Sequence, residues 1–152
     1  MTPHVRPATS EDAPAVAEVL IESRRVFLPY APMVHPPAEV RSWVAHQLVP
    51  SGRVHVVLQD GRVVAFLASS EHDAASWIDH LYVLPGYEGR GLGRQLLDVA
   101  HNGLRPPIRL YTFQANVGAR RFYERHGYRA IQFSNGEANE ERCPDVLYER
   151  SA

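Results

Sequence analysis

The sequence predicts a mixed α/β (α+β) fold, in which a central sheet of about six to seven strands is flanked by four helices. Short runs rich in β-branched residues alternate with segments whose apolar residues recur at helical spacing. An Asp-Gly pair between two such runs is a strong hairpin signal. No internal repeat or low-complexity linker divides the 152 residues, so we expect a single domain over 1–152.

The N-terminal half is predicted to contain one strand, two helices and a hairpin. A strand is expected at 5–8, after which Ser10 is a suitable N-cap for the first helix. Four prolines between 27 and 37 predict an irregular loop. A second helical stripe follows over 40–48, and two β-rich runs then flank Asp60-Gly61.

The C-terminal half is predicted to alternate strands with two further helices. Pro106-Pro107 ends the third helix, and Gly127 is a left-handed cap after the fourth. In chain order the predicted elements are a strand at 77–83, a glycine-rich turn at 85–91, a helix from Leu92, a strand at 108–114, a helix over 116–126 and strands near 128–134 and 145–150.

Composition argues against several classes of partner. With 16 basic and 17 acidic residues the net charge is −1, and no basic block is present, so we expect no nucleic acid. No apolar run is long enough to span a bilayer, and no signal peptide is recognisable, so we expect no membrane partner and a cytoplasmic location. The single Cys143 and the scattered histidines lack metal-ligand spacing, so no metal is predicted.

The segment LYVLPGYEGRGLGRQLL carries the clearest functional signal. A strand runs into a glycine-rich turn that opens a helix, and Gly89, Gly91 and Gly93 let the backbone approach a ligand closely. The free N–H groups of the helix start favour an anion, and Arg90 and Arg94 add positive charge. The pattern indicates a pyrophosphate site, although it is neither a Rossmann fingerprint nor a P-loop. A glycine-rich turn without a ligand is the alternative.

Two blocks resemble one known family. EGRGLG is similar to the R/Q-x-x-G-x-G/A signature of the GCN5-related N-acetyltransferase (GNAT) superfamily. Downstream, N-x-x-A-x-x-F-Y-x-x-x-G-Y is similar to the second conserved block of that superfamily, at the usual separation, and the predicted element order matches over nearly the whole chain. Glu88 departs from the usual Gln or Arg, and because a carboxylate would repel pyrophosphate, we expect its side chain to turn outward.

The resemblance implies that an acetyl group passes directly from acetyl-CoA to a primary amine of a small molecule or peptide. Tyr123 matches the family's general acid, which protonates the departing thiolate, although a core aromatic is the alternative. Asn116 matches a position at the cofactor, although its side chain could instead serve only as an N-cap. The Val83 N–H is expected to polarise the thioester carbonyl. The residues that the resemblance places at the cofactor are Leu81, Val83, Gly89, Arg90, Gly91, Leu92, Gly93, Arg94, Asn116, Ala119 and Phe122.

The general base stays open at this stage. Asp79 and His80 are neighbours on a strand and face opposite sides, so at most one of them reaches the cleft. Glu22, late in the first helix, is a third candidate, and water-mediated deprotonation is a fourth route. Some N-terminal acetyltransferases of the superfamily have a glutamate where this chain has Tyr111, which weakens that substrate assignment.

The acceptor is also left open. The resemblance places it between the first two helices and the loop before the last strand, with Arg24, Phe27, Tyr30 and Glu140 as candidates. Acidic side chains in that loop would suit a cationic amine, whereas Arg24 and Arg25 could bind a carboxylate. Other readings are transfer from another acyl-CoA, a non-catalytic CoA-binding sensor and a nucleotide-binding regulatory domain. Because members of the superfamily are often dimers, a homodimer is also considered.

Overall fold

The computed structural model describes residues 2–151, which form one seven-stranded mixed sheet with four α-helices. The elements are β1 (His4–Pro7), α1 (Ala13–Phe27), α2 (Pro37–Trp43), β2 (Val54–Gln59), β3 (Arg62–His72), β4 (Ala75–Val83), α3 (Leu92–Gly103), β5 (Ile108–Phe113), α4 (Val117–Arg125), β6 (Arg129–Ser134) and β7 (Asp145–Arg150). The strand order is β1-β2-β3-β4-β5-β7-β6, with β4 and β5 parallel and the other neighbours antiparallel. The predicted fold class and element order are confirmed.

The start of the first helix differs from the prediction. Thr9, not Ser10, is the N-cap of a short 3₁₀ turn, and α1 follows from Ala13. The Thr9 N–H donates to the Asp12 carboxylate at 2.7 Å, and Arg6 on β1 pairs with the same carboxylate at 2.7 Å. Hydrogen bonding to Arg6 lowers the pKa of Asp12. The Asp12 carboxylate therefore links Thr9, the N-cap of the 3₁₀ turn, to Arg6 on β1.

Both hairpins of the central strands turn through left-handed residues. Asp60 and Gly61 have φ of 53° and 76°, as the Asp-Gly signal predicts. The turn between β3 and β4 uses Asp73 and Ala74, with φ of 54° and 59°. Because that second turn lacks a glycine, no turn signal predicts it, and β4 begins at Ala75 rather than at 77.

The core is formed by the sheet and the apolar stripes of the helices. The α3 residues predicted from helical spacing, Leu92, Leu96, Leu97 and Ala100, are all buried. In α1 the buried stripe includes Val16, Val19 and Leu20, and α1 packs on β3, β4 and α2. This packing fixes the position of β4, the strand on which the candidate site is built.

Candidate active site

The strands β4 and β5 pair only near their beginnings. Their two paired positions are Ser76–Ile108 and Trp77–Arg109, although β4 continues to Val83 and β5 to Phe113. The second half of β4 therefore has a free edge on the side of β5. This opening in the middle of the sheet is the first part of the candidate site.

Backbone groups of β4 face the opening. The Leu84 N–H donates to the carbonyl of Val64 on β3 at 2.8 Å. Because successive peptide groups of a strand point to alternate sides, the Val83 N–H turns away from β3 towards the opening. Ser23 on α1 donates its hydroxyl to the Val83 carbonyl at 2.7 Å, which holds the end of the strand in place. The free edge is thus available to an extended ligand.

The glycine-rich turn brings the start of α3 to the same opening. Gly91 is the N-cap of α3 with φ of 78°, and Gly89 has φ of 76°. A Cβ built at either glycine would meet no heavy atom within 4 Å, so the space above the turn is open. The first turn of α3 contains no acidic residue. Its unpaired N–H groups can therefore bind an anion.

The charged residues of the turn leave its glycines open. Glu88 is expected to turn outward; its exposed carboxylate accepts the Gly86 N–H at 2.9 Å, so the side chain folds back onto its own loop. The Arg90 guanidinium lies 4.8 Å from the centre of the Tyr87 ring, and Arg90 and Arg94 are both exposed. Two positive side chains therefore remain close to the open glycines.

Some predicted cofactor residues have clear structural roles. A Cβ at Gly93 would lie 3.2 Å from the Phe122 ring, so this glycine lets α3 and α4 approach closely. Asn116 caps α4, and its side chain accepts the Ala119 N–H at 3.2 Å. The side chain of Leu92 is in the core. Leu92 and Gly93 can therefore offer a ligand only their backbone N–H groups.

Tyr123, on α4, is buried near Tyr82 of β4. Its side chain is 7% exposed, and its ring contacts those of Phe122, Tyr128 and Tyr148. Burial is the main cause that raises the pKa of Tyr123 well above the ordinary value, with smaller contributions from Tyr128 and Tyr82. The phenol therefore keeps its proton at neutral pH.

A cavity of about 480 Å³ lies along β4, on the side of α1 and α2. Side chains from α1, α2, the loop between them, β4 and the loop between β6 and β7 line it. These are Leu20, Arg24, Met33, Val34, His35, Glu39, Val40, Trp43, His80, Tyr82, Glu140 and Glu141. The cavity and the opening beside β5 are the two halves of one candidate site, since His80 and Tyr82 belong to the strand whose edge is free.

His80 is held in an aromatic surrounding. Its ring centre lies 5.6 Å from that of Trp43 and 6.3 Å from that of Phe66. The Nδ1 atom is fully buried and has no hydrogen-bond partner. Burial lowers the pKa of His80; the Asp79 charge raises this pKa to a smaller extent, and the Arg24 charge lowers it further. The imidazole is therefore neutral at pH 7.

The other two candidate bases do not reach the cavity. The register of β3 and β4 shifts between Ala68–His80 and Ser69–Ile78, so Asp79 is the extra residue of a bulge and is exposed. Glu22 is tied to Arg25 on the surface of α1 by hydrogen bonds to two guanidinium nitrogens. Of the three, the structure brings only His80 to the cavity.

The predicted acceptor residues divide in the same way. Arg24 and Glu140 line the cavity, whereas Phe27 and Tyr30 do not. Tyr30 packs edge-to-face on Phe113, with ring centres 6.2 Å apart, and Phe27 is exposed at the end of α1. Sequence reasoning missed Trp43 and Tyr82. Tyr82 could have been found, because it follows His80 by two positions on a strand and so shares its face.

Comparison with known proteins identifies the family. The chain belongs to the GNAT acetyltransferases, because the family model described as Acetyltransferase (GNAT) domain matches residues 50–130, more than half of it. No curated protein matches the chain significantly in sequence. The matched segment contains β4, the glycine-rich turn, α3 and α4, which form the opening beside β5, whereas most residues that line the cavity lie outside it.

Solved structures show the same fold. A GNAT-family acetyltransferase from Bacillus cereus ATCC 10987 superposes with a TM-score of 0.79 at 16% identity, covering 99% of this chain and 98% of that chain. The PaiA N-acetyltransferase of Thermoplasma acidophilum, solved in complex with coenzyme A, gives 0.76 at 18% identity with full coverage of both chains. Ard1 of Thermoplasma volcanium gives 0.77 at 18% identity, covering 100% of this chain and 99% of that chain.

Residues 2–151, the part of the chain that the structure describes, contain neither a metal-ligating cluster nor a membrane-spanning helix. No three His, Cys, Asp or Glu side chains in this range are grouped closely enough to hold a metal ion. Within the same range, no helix has both the length and the apolar character needed to cross a membrane.

Proposed function

We propose that this protein is an acetyl-CoA-dependent N-acetyltransferase, in which a primary amine attacks the acyl donor directly within a ternary complex. The observation that carries the proposal is the double use of β4. Its free edge faces the opening beside β5 and the start of α3, whereas the side chains of His80 and Tyr82 line the cavity. One strand therefore separates a site for the donor from a site for the acceptor.

The residues at the opening fit the donor. The backbone of Leu81 and Val83 would pair with the extended pantetheine chain, as an added strand does. The open turn from Gly89 to Gly91 and the first N–H groups of α3 would hold the pyrophosphate, with Arg90 and Arg94 nearby. When bound, acetyl-CoA supplies a thioester as the source of the acetyl group.

Three groups of this chain would support the transfer. Neutral His80 would take the proton that the amine must lose as its nitrogen forms the new bond to the acetyl carbon. The Val83 N–H would stabilise charge on the carbonyl oxygen. Protonated Tyr123 would deliver a proton to the sulfur as the C–S bond breaks.

The experiment that tests this proposal has two stages. Calorimetric titration with acetyl-CoA, and with ATP as the control ligand, is expected to give one-to-one binding of acetyl-CoA only. Release of free CoA thiol is then measured over a panel of primary amines. Amine-dependent release supports the enzyme, and binding without release would indicate a CoA sensor. Binding of ATP as tight as that of acetyl-CoA would contradict the proposal.

A further inference from the structure

We infer that the acceptor is a small diamine, in which an apolar stem joins the reacting amine to a second, positively charged end. The inference rests on the proposed function, because it assigns the cavity of about 480 Å³ to the acceptor. The cavity has an apolar, aromatic interior and an acidic rim. Each of these features selects one part of such a molecule.

The interior selects the stem and the reacting amine. Leu20 and Val40 are buried, and Trp43 packs edge-on against the ring of His80. Such walls favour methylene groups over polar ones. The His80 ring also lines the cavity, and burial keeps its imidazole neutral. An amine that enters along the apolar walls therefore meets a neutral imidazole rather than a second cation.

The rim selects a second positive charge. Glu39 on α2 and Glu140 in the loop before β7 are 63% and 66% exposed and lie on opposite sides of His35. The His35 Nδ1 is 3.3 Å from the Glu39 carboxylate, and its Nε2 is 3.4 Å from that of Glu140. The two carboxylates, Glu140 first, raise the pKa of His35. The two exposed carboxylates of the rim thus lie beside one imidazole, and an ammonium group at the rim would find the same two partners.

The cavity offers little to a carboxylate-bearing acceptor. Arg24 is the one arginine among the described residues that line it, and its side chain is only 11% exposed. Its Nη2 already donates to the Glu141 carboxylate at 3.0 Å and to the Ala31 carbonyl at 2.9 Å. The neighbouring Arg25 is paired with Glu22. The carboxylate of an amino acid would therefore meet Glu39, Glu140 and Glu141, and the arginine that lines the cavity is already paired with one of them.

Three acceptors of equal chain length test the inference. Cadaverine, pentylamine and 5-aminopentanoate place an ammonium, a methyl or a carboxylate group opposite the reacting amine. With acetyl-CoA saturating, we expect kcat/KM per amino group to fall in that order. Since exposed ion pairs contribute modestly, cadaverine should exceed pentylamine by roughly three- to tenfold.

Matched variants locate the effect on the rim. In Glu39→Gln/Glu140→Gln the advantage of cadaverine should disappear through a higher KM, whereas the kcat/KM of pentylamine should change less than about twofold. Glu137→Gln is the control, because Glu137 is an exposed residue of the same loop that does not line the cavity. That variant should keep the full preference for cadaverine.

The outcomes separate the inference from the proposed function. Equal kcat/KM for cadaverine and pentylamine, or a preference that survives the double substitution, would overturn the diamine. Acetyl-CoA binding without acetylation of any of the three acceptors would overturn it as well. Failure to bind acetyl-CoA at all would overturn the N-acetyltransferase proposal itself.

Discussion

The two sides of β4 are built in different ways. The proposed donor side consists mainly of backbone, with the free edge of Leu81–Val83, two left-handed glycines and the N-terminus of α3. The acceptor side consists of side chains from segments that are distant in sequence, such as Leu20, His80 and Glu140. A backbone site should be sensitive to conformation and close approach. A side-chain site should be sensitive to charge and shape, so that its specificity can change while the donor side stays the same.

Gly91→Asp should have the largest effect and break the donor side. It places a carboxylate at the start of α3, where the pyrophosphate is expected, and forces φ of 78° on a residue with a side chain. Because like charges at about 4 Å near a protein surface repel by about 4 kcal/mol, we expect acetyl-CoA to bind at least a hundredfold more weakly by calorimetry.

The control for this substitution is Gly61→Asp. Gly61 has φ of 76° and is equally open, but it lies at the tip of the hairpin between β2 and β3. Gly61→Asp therefore imposes a similar positive φ on an aspartate, but at a position away from the proposed ligand site. Equal weakening in both variants would mean that strain, rather than the anion site, explains the loss.

Tyr123→Phe should lower kcat by at least about tenfold and leave the affinity for acetyl-CoA nearly unchanged, because it removes a general acid but keeps the ring. An assay of CoA thiol release measures kcat, and calorimetry measures the affinity for acetyl-CoA. Tyr128→Phe is the control, since the Tyr128 hydroxyl bonds His101 at 2.9 Å and has no proposed role in the transfer. Unchanged kcat in Tyr123→Phe would assign that residue to the core alone.

His80→Gln should change the pH dependence of stability. Burial lowers the pKa of His80 below 6.5, so the unfolded state gains a proton first as the pH falls. Folding stability is then lost below pH 6.5, by up to about 1.4 kcal/mol per pH unit for this one group. Urea unfolding between pH 7.5 and 5 should show a shallower slope in the variant, while His55 and His101, whose pKa values are also lowered by burial, keep contributing. An identical slope would contradict a buried neutral His80.

The same residue should shape the activity profile. If His80 is the base, kcat in the wild type rises with pH through the pKa of His80, and the His80→Gln variant loses that limb. A pH profile that keeps its shape in the variant would favour deprotonation through water.

Ser23→Ala should have the smallest effect, because it acts only on the end of β4, the strand that the two sides share. It removes the hydrogen bond to the Val83 carbonyl, which should cost about 1 kcal/mol in the free energy of unfolding. Ser42→Ala, on the exposed face of α2, is the control and should change stability by less than about 0.5 kcal/mol. Equal stabilities of the two variants would show that Ser23 does not anchor the end of β4.

Structures that depend on a few neighbouring residues are predicted correctly from the sequence. Asp60-Gly61 predicts its hairpin because both residues tolerate left-handed backbone, and Asn116 predicts its cap because an amide oxygen can accept an N–H three residues later. The hairpin at Asp73–Ala74 was missed, because the pairing of β3 with β4 imposes a conformation that alanine does not favour by itself.

The sequence by itself determined the glycine-rich turn, the start of α3 and the cap of α4, because these depend on contacts within a few residues that are readable as spacing. The free edge of β4 is a tertiary feature, since it exists only where β5 diverges from β4. Only the tertiary structure decided the acceptor side. The bulge at Asp79 leaves His80, and not Asp79, facing the cavity. Glu141 forms an ion pair with Arg24, which is more than a hundred positions away in the sequence. Glu39 and Glu140 become partners of one histidine only when the loop before β7 folds over α2, because distance in space between remote segments is set by packing and leaves no local pattern.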